Sequence, residues 1–174
     1  NQTLEAEISE RKRMEQLQKA LFEISELSTK VDGNIIDFYT KLHAILKQLI
    51  NAKNCYIAML DKAEEHLHFP YFVGRDEDFN STRKLTRGLT EYVIRNKEAV
   101  LVDSFKMDEL IDTNEIELKF VNKMLIGHNS WMAATLKVDS TVKGVIALQT
   151  YGEGDDYNDA DLDILRFVSQ HISV

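Results

Sequence analysis

Residues 131–157 carry the clearest pattern of apolar and polar positions in the chain. One apolar run, Trp131-Met-Ala-Ala-Thr-Leu-Lys-Val138, is followed by a polar break at Asp139-Ser140-Thr141 and a second run over 143–151. Trp, Val, Ile and Thr suit a pleated, half-buried surface, so the pattern predicts a hairpin. In Gly144-Val-Ile-Ala-Leu-Gln149-Thr150 apolar residues sit at adjacent positions, which requires cover on both faces and therefore a place in the middle of a sheet.

The remaining elements fall around this pair. Residues 3–30 contain no Gly or Pro and are dense in good helix formers, which predicts a helix of roughly 40 Å. Met14, Leu17, Leu21, Ile24, Ser28 and Val31 recur at alternating steps of three and four, an a/d seam. Met14, Leu17, Leu21, Ile24 and Val31 are thus candidates for the seam of a coiled-coil homodimer, with one half of the helix projecting from the domain. A break at Asp32-Gly33-Asn34 leads to a helix over 36–50 whose face is Phe38, Leu42, Ile45, Leu46 and Leu49. An interior strand follows over 55–60, then a polar turn over 61–65. A returning strand over 67–73 would set Leu67, Phe69, Tyr71 and Val73 on one face, and Pro70 places it at an edge or marks a bulge. The charged stretch 74–87 reads as a mobile flap. A short amphipathic helix over 88–95, a buried strand over 99–102 and a mostly helical segment over 107–126 complete the middle. Asn158 or Asp159 caps a last helix with Leu162, Leu165, Phe167, Val168 and Ile172 on its apolar face. Hairpins at both ends of the run and helices between them imply an α+β fold. It is an antiparallel sheet of about five to six strands with helices on its faces, plus a long N-terminal helix. The chain divides into a helical linker, 1–33, and a domain, 34–174.

Composition narrows the partners. A formal net charge of -8 over 174 residues disfavours nucleic acid and anionic membrane surfaces. No apolar run reaches the length of a bilayer span. A single cysteine, Cys55, excludes an internal disulfide and fits a reducing, cytoplasmic setting. The missing initiator Met and a final helix still running at Val174 suggest a piece of a longer protein.

The candidate chemistry is sparse. His66 and His68 flank Leu67 on a solvated hairpin without a third ligand beside them, so no metal site is expected. His43 and His171 read as surface or boundary residues on helices. Cys55, in an apolar strand with no neighbouring base, reads as an inert buried thiol. The acidic run over 155–161 lacks the glycine and distal glutamate of a calcium loop and reads as capping. A small-molecule pocket would be walled by Tyr56, Phe69, Tyr71, Leu89, Thr90, Tyr92, His128, Trp131 and Gln149, aromatic surfaces with a few polar tips. The amides of Gly88, Leu89 and Thr90 would receive an anion at a helix start.

Three groups of residues resemble a known family. They are Phe38-Tyr39 and Leu42-His43 with Asn54-Cys-Tyr-Ile-Ala-Met-Leu-Asp61; Phe69-Pro70-Tyr71-Phe72 with Arg87-Gly88-Leu89-Thr90-Glu91-Tyr92-Val93; and Trp131, Leu136-Lys137, Gly144-Val-Ile-Ala-Leu-Gln149-Thr-Tyr151, Tyr157, Asp161-Leu162 and Gln170-His171-Ile172. Together they resemble the GAF domains of bacterial and archaeal histidine kinases and diguanylate cyclases, over about 34–174. Ile8-Ser9-Glu10-Arg11-Lys12-Arg13-Met14-Glu15 resembles the signalling linker that follows a PAS domain. The resemblance implies a GAF/PAS-like fold and a non-catalytic sensory role. It implies a homodimer that binds a small ligand and relays through a helical spine between a PAS domain and an output domain; the alternative is a ligand-free dimerisation and relay module. It names no cofactor: Cys55 does not match the bilin-attachment cysteine, and the cyclic-nucleotide signature is missing after Asn122-Lys123. Trp131-Met-Ala-Ala-Thr-Leu136 also stands where the family pattern has Trp-Leu-Gly-Val-Pro-Leu.

Overall fold

The computed structural model describes residues 2–29, 34–74, 81–120, 130–150 and 156–172. In chain order the elements are α1 (Gln2–Thr29), α2 (Ile35–Leu49), β1 (Asn54–Leu60), β2 (His66–Val73), β3 (Thr82–Lys84), α3 (Leu89–Asn96), β4 (Val100–Val102), α4 (Ser104–Asp112), a 3₁₀ turn (Leu118–Phe120), β5 (Trp131–Val138), β6 (Thr141–Gln149) and α5 (Asp159–Gln170). The strands form one six-stranded sheet in the order β3-β2-β1-β6-β5-β4, and every pairing is antiparallel.

The predicted hairpin is β5–β6, and β6 lies at the centre beside β1. Its turn is two residues rather than three: Asp139 and Ser140 both take positive φ, 52° and 67°, so Thr141 already pairs with Val138. Positive φ at both central residues is the turn whose twist matches the flanking strands. A helical layer lies on each face. On the first, α1, α2 and α5 cover Cys55, Ile57, Met132, Ala134, Leu136, Ile146 and Leu148; on the second, α3 and α4 cover Trp131, Ala133, Val145 and Ala147. Asn34 caps α2 through the Asp37 amide, and Asn158 and Asp161 form a reciprocal capping box on α5.

Several expectations are corrected. The stretch read as a flap contains β3, paired to β2 from His66↔Lys84 to His68↔Thr82; residues 75–80 lie outside the described set. The long helical segment over 107–126 resolves into the end of α4 and a 3₁₀ turn, with 121–129 outside the described residues. Leu67, Phe69, Tyr71 and Val73 do not share a face. The β1–β2 register shifts between Ile57↔Tyr71 and Met59↔His68, at Pro70, and the extra residue reverses the alternation. Leu67 and Phe69 therefore face the α3 side, Tyr71 and Val73 the α1–α2 side.

Part of the α1 seam packs inside the chain. Ile24 is fully buried and Leu17 and Leu21 pack against the same core, together with Ala20 and Leu27. Met14 is exposed, and Val31 lies outside the described residues. A three-four repeat buries one stripe of a helix, and here α2 and α5 cover the inner part of that stripe, Ile24 completely and Leu17 and Leu21 in part. Residues 2–16 are all exposed, so the helix runs on past its own domain.

His43 is not at the surface but 2% exposed. Its Nε2–H donates to the Ala52 carbonyl, which leaves Nδ1 to accept from the Tyr71 hydroxyl at 2.6 Å, so the neutral ring ties α2, β1's approach and β2 together. Burial lowers its pKa, against the Ala52 hydrogen bond, and Lys47 lowers it further; Tyr39, Tyr71 and Cys55 are the other titratable groups around it. A lowered folded pKa means the unfolded chain binds the proton more readily. This contribution to stability is then complete above the unfolded value, about 6.5, and is lost as pH falls below it. Urea unfolding at pH 7.5 and 5.5 should show that loss in the native chain and a smaller one in His43→Phe. Tyr71→Phe should cost about 1 kcal/mol at pH 7.5.

Candidate functional site

The sheet register builds rows of side chains on the α3 side. Asn54, Gln149 and Trp131 lie opposite one another on β1, β6 and β5, and Tyr56, Ala147 and Ala133 form the next row. The small side chains of Ala133 and Ala147 leave depth, which Leu89, Tyr92 and Val93 of α3 fill. Trp131 is 1% exposed at the centre of this packing. Phe69 and Phe72 flank Tyr56, edge-on at 5.7 Å and stacked at 5.8 Å. The register shift at Pro70 allows both phenylalanines to meet one tyrosine.

Within this apolar face runs a line of polar groups. The Tyr56 hydroxyl shares a hydrogen bond of 2.7 Å with Thr90 Oγ1, and the Trp131 indole N–H also acts on it. Burial pushes the Tyr56 hydroxyl up to about 12 against these bonds, so it stays neutral. Gln149 is buried on the same face, and its Nε2 has no hydrogen-bond partner among the described residues. Native interiors rarely leave such a group unmet, which makes this end of the face the place where a ligand group or water is wanted.

The start of α3 holds a second polar centre. Glu91, 4% exposed, accepts from Arg83 Nη1 at 2.5 Å and Nη2 at 3.3 Å, from the Thr86 amide at 2.7 Å and from Thr86 Oγ1 at 2.8 Å. Burial raises its pKa, but Arg83 and Thr86 outweigh that and hold the carboxyl below the usual range. Arg83 reaches Glu91 across the Phe69 ring, 5.6 Å from its centre. The Glu91 carboxylate crowds the start of α3: a Cβ on Gly88 would lie 3.3 Å from Glu91 Oε1 and 3.2 Å from the Phe120 carbonyl.

The GAF domain family model matches residues 34–174. This chain belongs to the GAF domain family. GAF domains are typically sensory or regulatory modules, and solved GAF structures share the fold. The nlh2 GAF domain of A. aeolicus, in an inactive state, is 15% identical, with 91% of this chain and 96% of that one covered and a TM-score of 0.60. Residues 122 to 287 of a methyl-accepting chemotaxis protein are 20% identical, covering 86% and 92%, at a TM-score of 0.60. The free methionine-R-sulfoxide reductase of Neisseria meningitidis, in complex with its substrate, is 13% identical, covering 90% and 87%, at a TM-score of 0.61. Regulatory and enzymatic proteins thus both carry this fold. Among curated proteins, none matches the chain.

Of the residues expected to wall the GAF pocket, Tyr56, Phe69, Leu89, Thr90, Tyr92, Trp131 and Gln149 do share the α3 face. Tyr71 does not: it bonds His43 on the opposite face, because the bulge at Pro70 reverses its direction. His128 lies outside the described residues. Sequence reasoning missed Arg83, Thr86 and Glu91. A usable signal was present, since Glu91 stands three residues past Gly88, where a glutamate turns back on a helix start. Cys55 is 2% exposed and burial pushes its thiol up to about 12, which keeps it protonated.

Proposed function

We propose that this GAF domain is a non-catalytic sensory module of a signalling protein. It takes a small molecule at the Gln149 end of the α3 face and relays occupancy along α1 and α5 to neighbouring domains, PAS-type before it and a histidine kinase or diguanylate cyclase after it. The observation that carries the reading is the division of α1. Leu17, Ala20, Leu21, Ile24 and Leu27 pack into the core that α5 also builds, while residues 2–16 lead out of it. A change in how the sheet packs against this layer must then move a helix that leaves the domain. A ligand drives such a change only through unequal affinity for two arrangements of the spine. The protonated, buried Cys55 supports a non-catalytic role. Among the described residues, no helix is long and apolar enough to cross a membrane, and the reading places the module in the cytoplasm. Leu4, Ile8, Met14 and Phe22, exposed on α1, supply apolar surface for a homodimer beside the half-buried Leu17 and Leu21.

Thermal-shift screening against amino acids, nucleotides and tetrapyrroles tests the sensing reading. A ligand at a hundred times its Kd adds about 2.7 kcal/mol, a rise of about 5–10 °C in Tm. Gln149→Leu should raise the stability of the free domain by about 1 kcal/mol, by removing an unmet buried amide, and should abolish that rise. Sedimentation tests the spine: the whole chain should be a dimer, and a chain lacking residues 2–16 a monomer. A monomer in both cases defeats the dimeric relay. The tight packing around Trp131 favours one other reading, a relay module that binds nothing. That reading stands if no compound shifts the melting point while the two sedimentation states are seen.

A further inference from the structure

The β5 edge of the sheet holds a groove of about 500 Å³ that the sensing site does not use. It lies where β4 stops. β4 pairs with β5 only through Ala133, so beyond it the main chain of β5 has no β-partner on that side. The C-terminal end of α5 forms one wall and the turn from α3 to β4 the other, with Ala134 and Thr135 between them. The size is that of a small-molecule site.

Three cations line it, Lys97, Lys137 and Arg166, against one acid, Glu98. With Asp163, which pairs with Arg166, counted as well, the local charge is about +1 in a chain whose net charge is -8. Arg166 is held by Asp163 at 2.6 Å, an exposed pair one turn away on the same helix. Lys97 and Lys137 have no ion-pair partner among the described residues. Lys97 also holds the left-handed position that ends α3, with φ of 61°, where glycine is the usual occupant. The last carbonyls of α5 are not left bare. His171 Nδ1 and the backbone amides of His171 and Ile172 already engage its last carbonyls.

The other lining groups narrow the ligand. Glu98 and Gln170 offer hydrogen bonds suited to hydroxyl groups, and Ala99 and Ala134 give a small apolar floor for a carbon skeleton. No aromatic ring lines the groove, so nothing there stacks a nucleobase. We infer that this groove is a second binding site, distinct from the α3 face, for a phosphorylated or carboxylated polyol. Ser169 and Ile172 line it and are themselves packed in the domain, so an occupant would bear directly on the end of α5.

The test is calorimetric titration of the whole chain with glucose 6-phosphate, glycerol 3-phosphate and gluconate, with glucose and inorganic phosphate as separate arms at constant ionic strength. Backbone amide shifts locate the binding. At least one anionic polyol should bind ten times more tightly than phosphate or glucose and move the amides of Ala99, Thr135 and Ser169. Lys97→Gln combined with Lys137→Gln should weaken it at least tenfold with Tm unchanged. Gln170→Leu should weaken the polyol and leave phosphate as it was. The inference is overturned if phosphate alone binds equally well, if the double variant binds as the native chain does, if only an acidic peptide shifts these amides, or if nothing shifts them at millimolar concentration.

Discussion

Gly144→Ala is expected to cost about 3 kcal/mol and to lower Tm by about 6–12 °C. Gly144 lies in the central strand, opposite Met59 on β1 and Leu136 on β5. A Cβ there would lie 2.5 Å from the Ala58 carbonyl oxygen and would also strike the Met59 sulfur. The methionine can swing aside, but the carbonyl belongs to β1 and moves only if the β1–β6 ladder is deformed. Overpacking against backbone in a close-packed interior is among the costlier single changes. Denaturant unfolding at unchanged m-value measures it, and a loss under 1 kcal/mol would show that the two strands separate more readily than this packing allows.

The second large effect is at Arg83. Arg83→Met removes the one cation that, among the described residues, pairs with Glu91, and leaves a carboxylate that is 4% exposed facing two Thr86 donors. Breaking a buried pair from one side costs about 3–5 kcal/mol, because the other charge stays behind. The pH dependence separates this from lost packing. In the native chain the Glu91 pKa is lowered, so its contribution is present above the unfolded carboxyl value and is lost as pH falls through the folded one. Without Arg83 burial dominates and the folded pKa rises, so the variant is weakest near pH 7 and recovers on acidification. The gap between variant and native chain should therefore narrow from pH 7 toward pH 4. Adding Glu91→Gln should recover part of the loss at pH 7; a double variant as unstable as the sum of the single ones would disprove the coupling.

How much of this was legible in the sequence depends on whether a residue's role is set locally. The β5–β6 hairpin was, because Asp139 and Ser140 sit between two runs that no helix period fits. The apolar faces of α2 and α5 were as well. Strand β3 was not: Thr82, Arg83 and Lys84 show no alternation, and what holds them is pairing with β2 and the reach of Arg83 to Glu91, both remote in sequence. Tyr71 was assigned to the wrong face because a strand has a period of two, so one inserted residue at Pro70 moves everything after it. Ile24 shows a different limit. A three-four repeat looks the same whether it meets a second copy or the chain's own core, and only the tertiary packing decides. The site divides likewise. Aromatic walls can be read from composition, whereas the unmet amide of Gln149 exists only once Trp131 and Asn54 are set beside it.

The division of α1 also sets a mechanical gain. The exposed stretch, residues 2–16, extends about 22 Å at 1.5 Å per residue. The buried stretch is clamped between α2 and α5, so the core acts as a fulcrum near Leu17. A tilt of roughly 10° there carries the free tip through about 4 Å, for a rigid helix of that length. The buried arm, Leu17 to Leu27, spans about 15 Å, so a displacement at its inner end reaches the free tip about one and a half times larger and in the opposite direction.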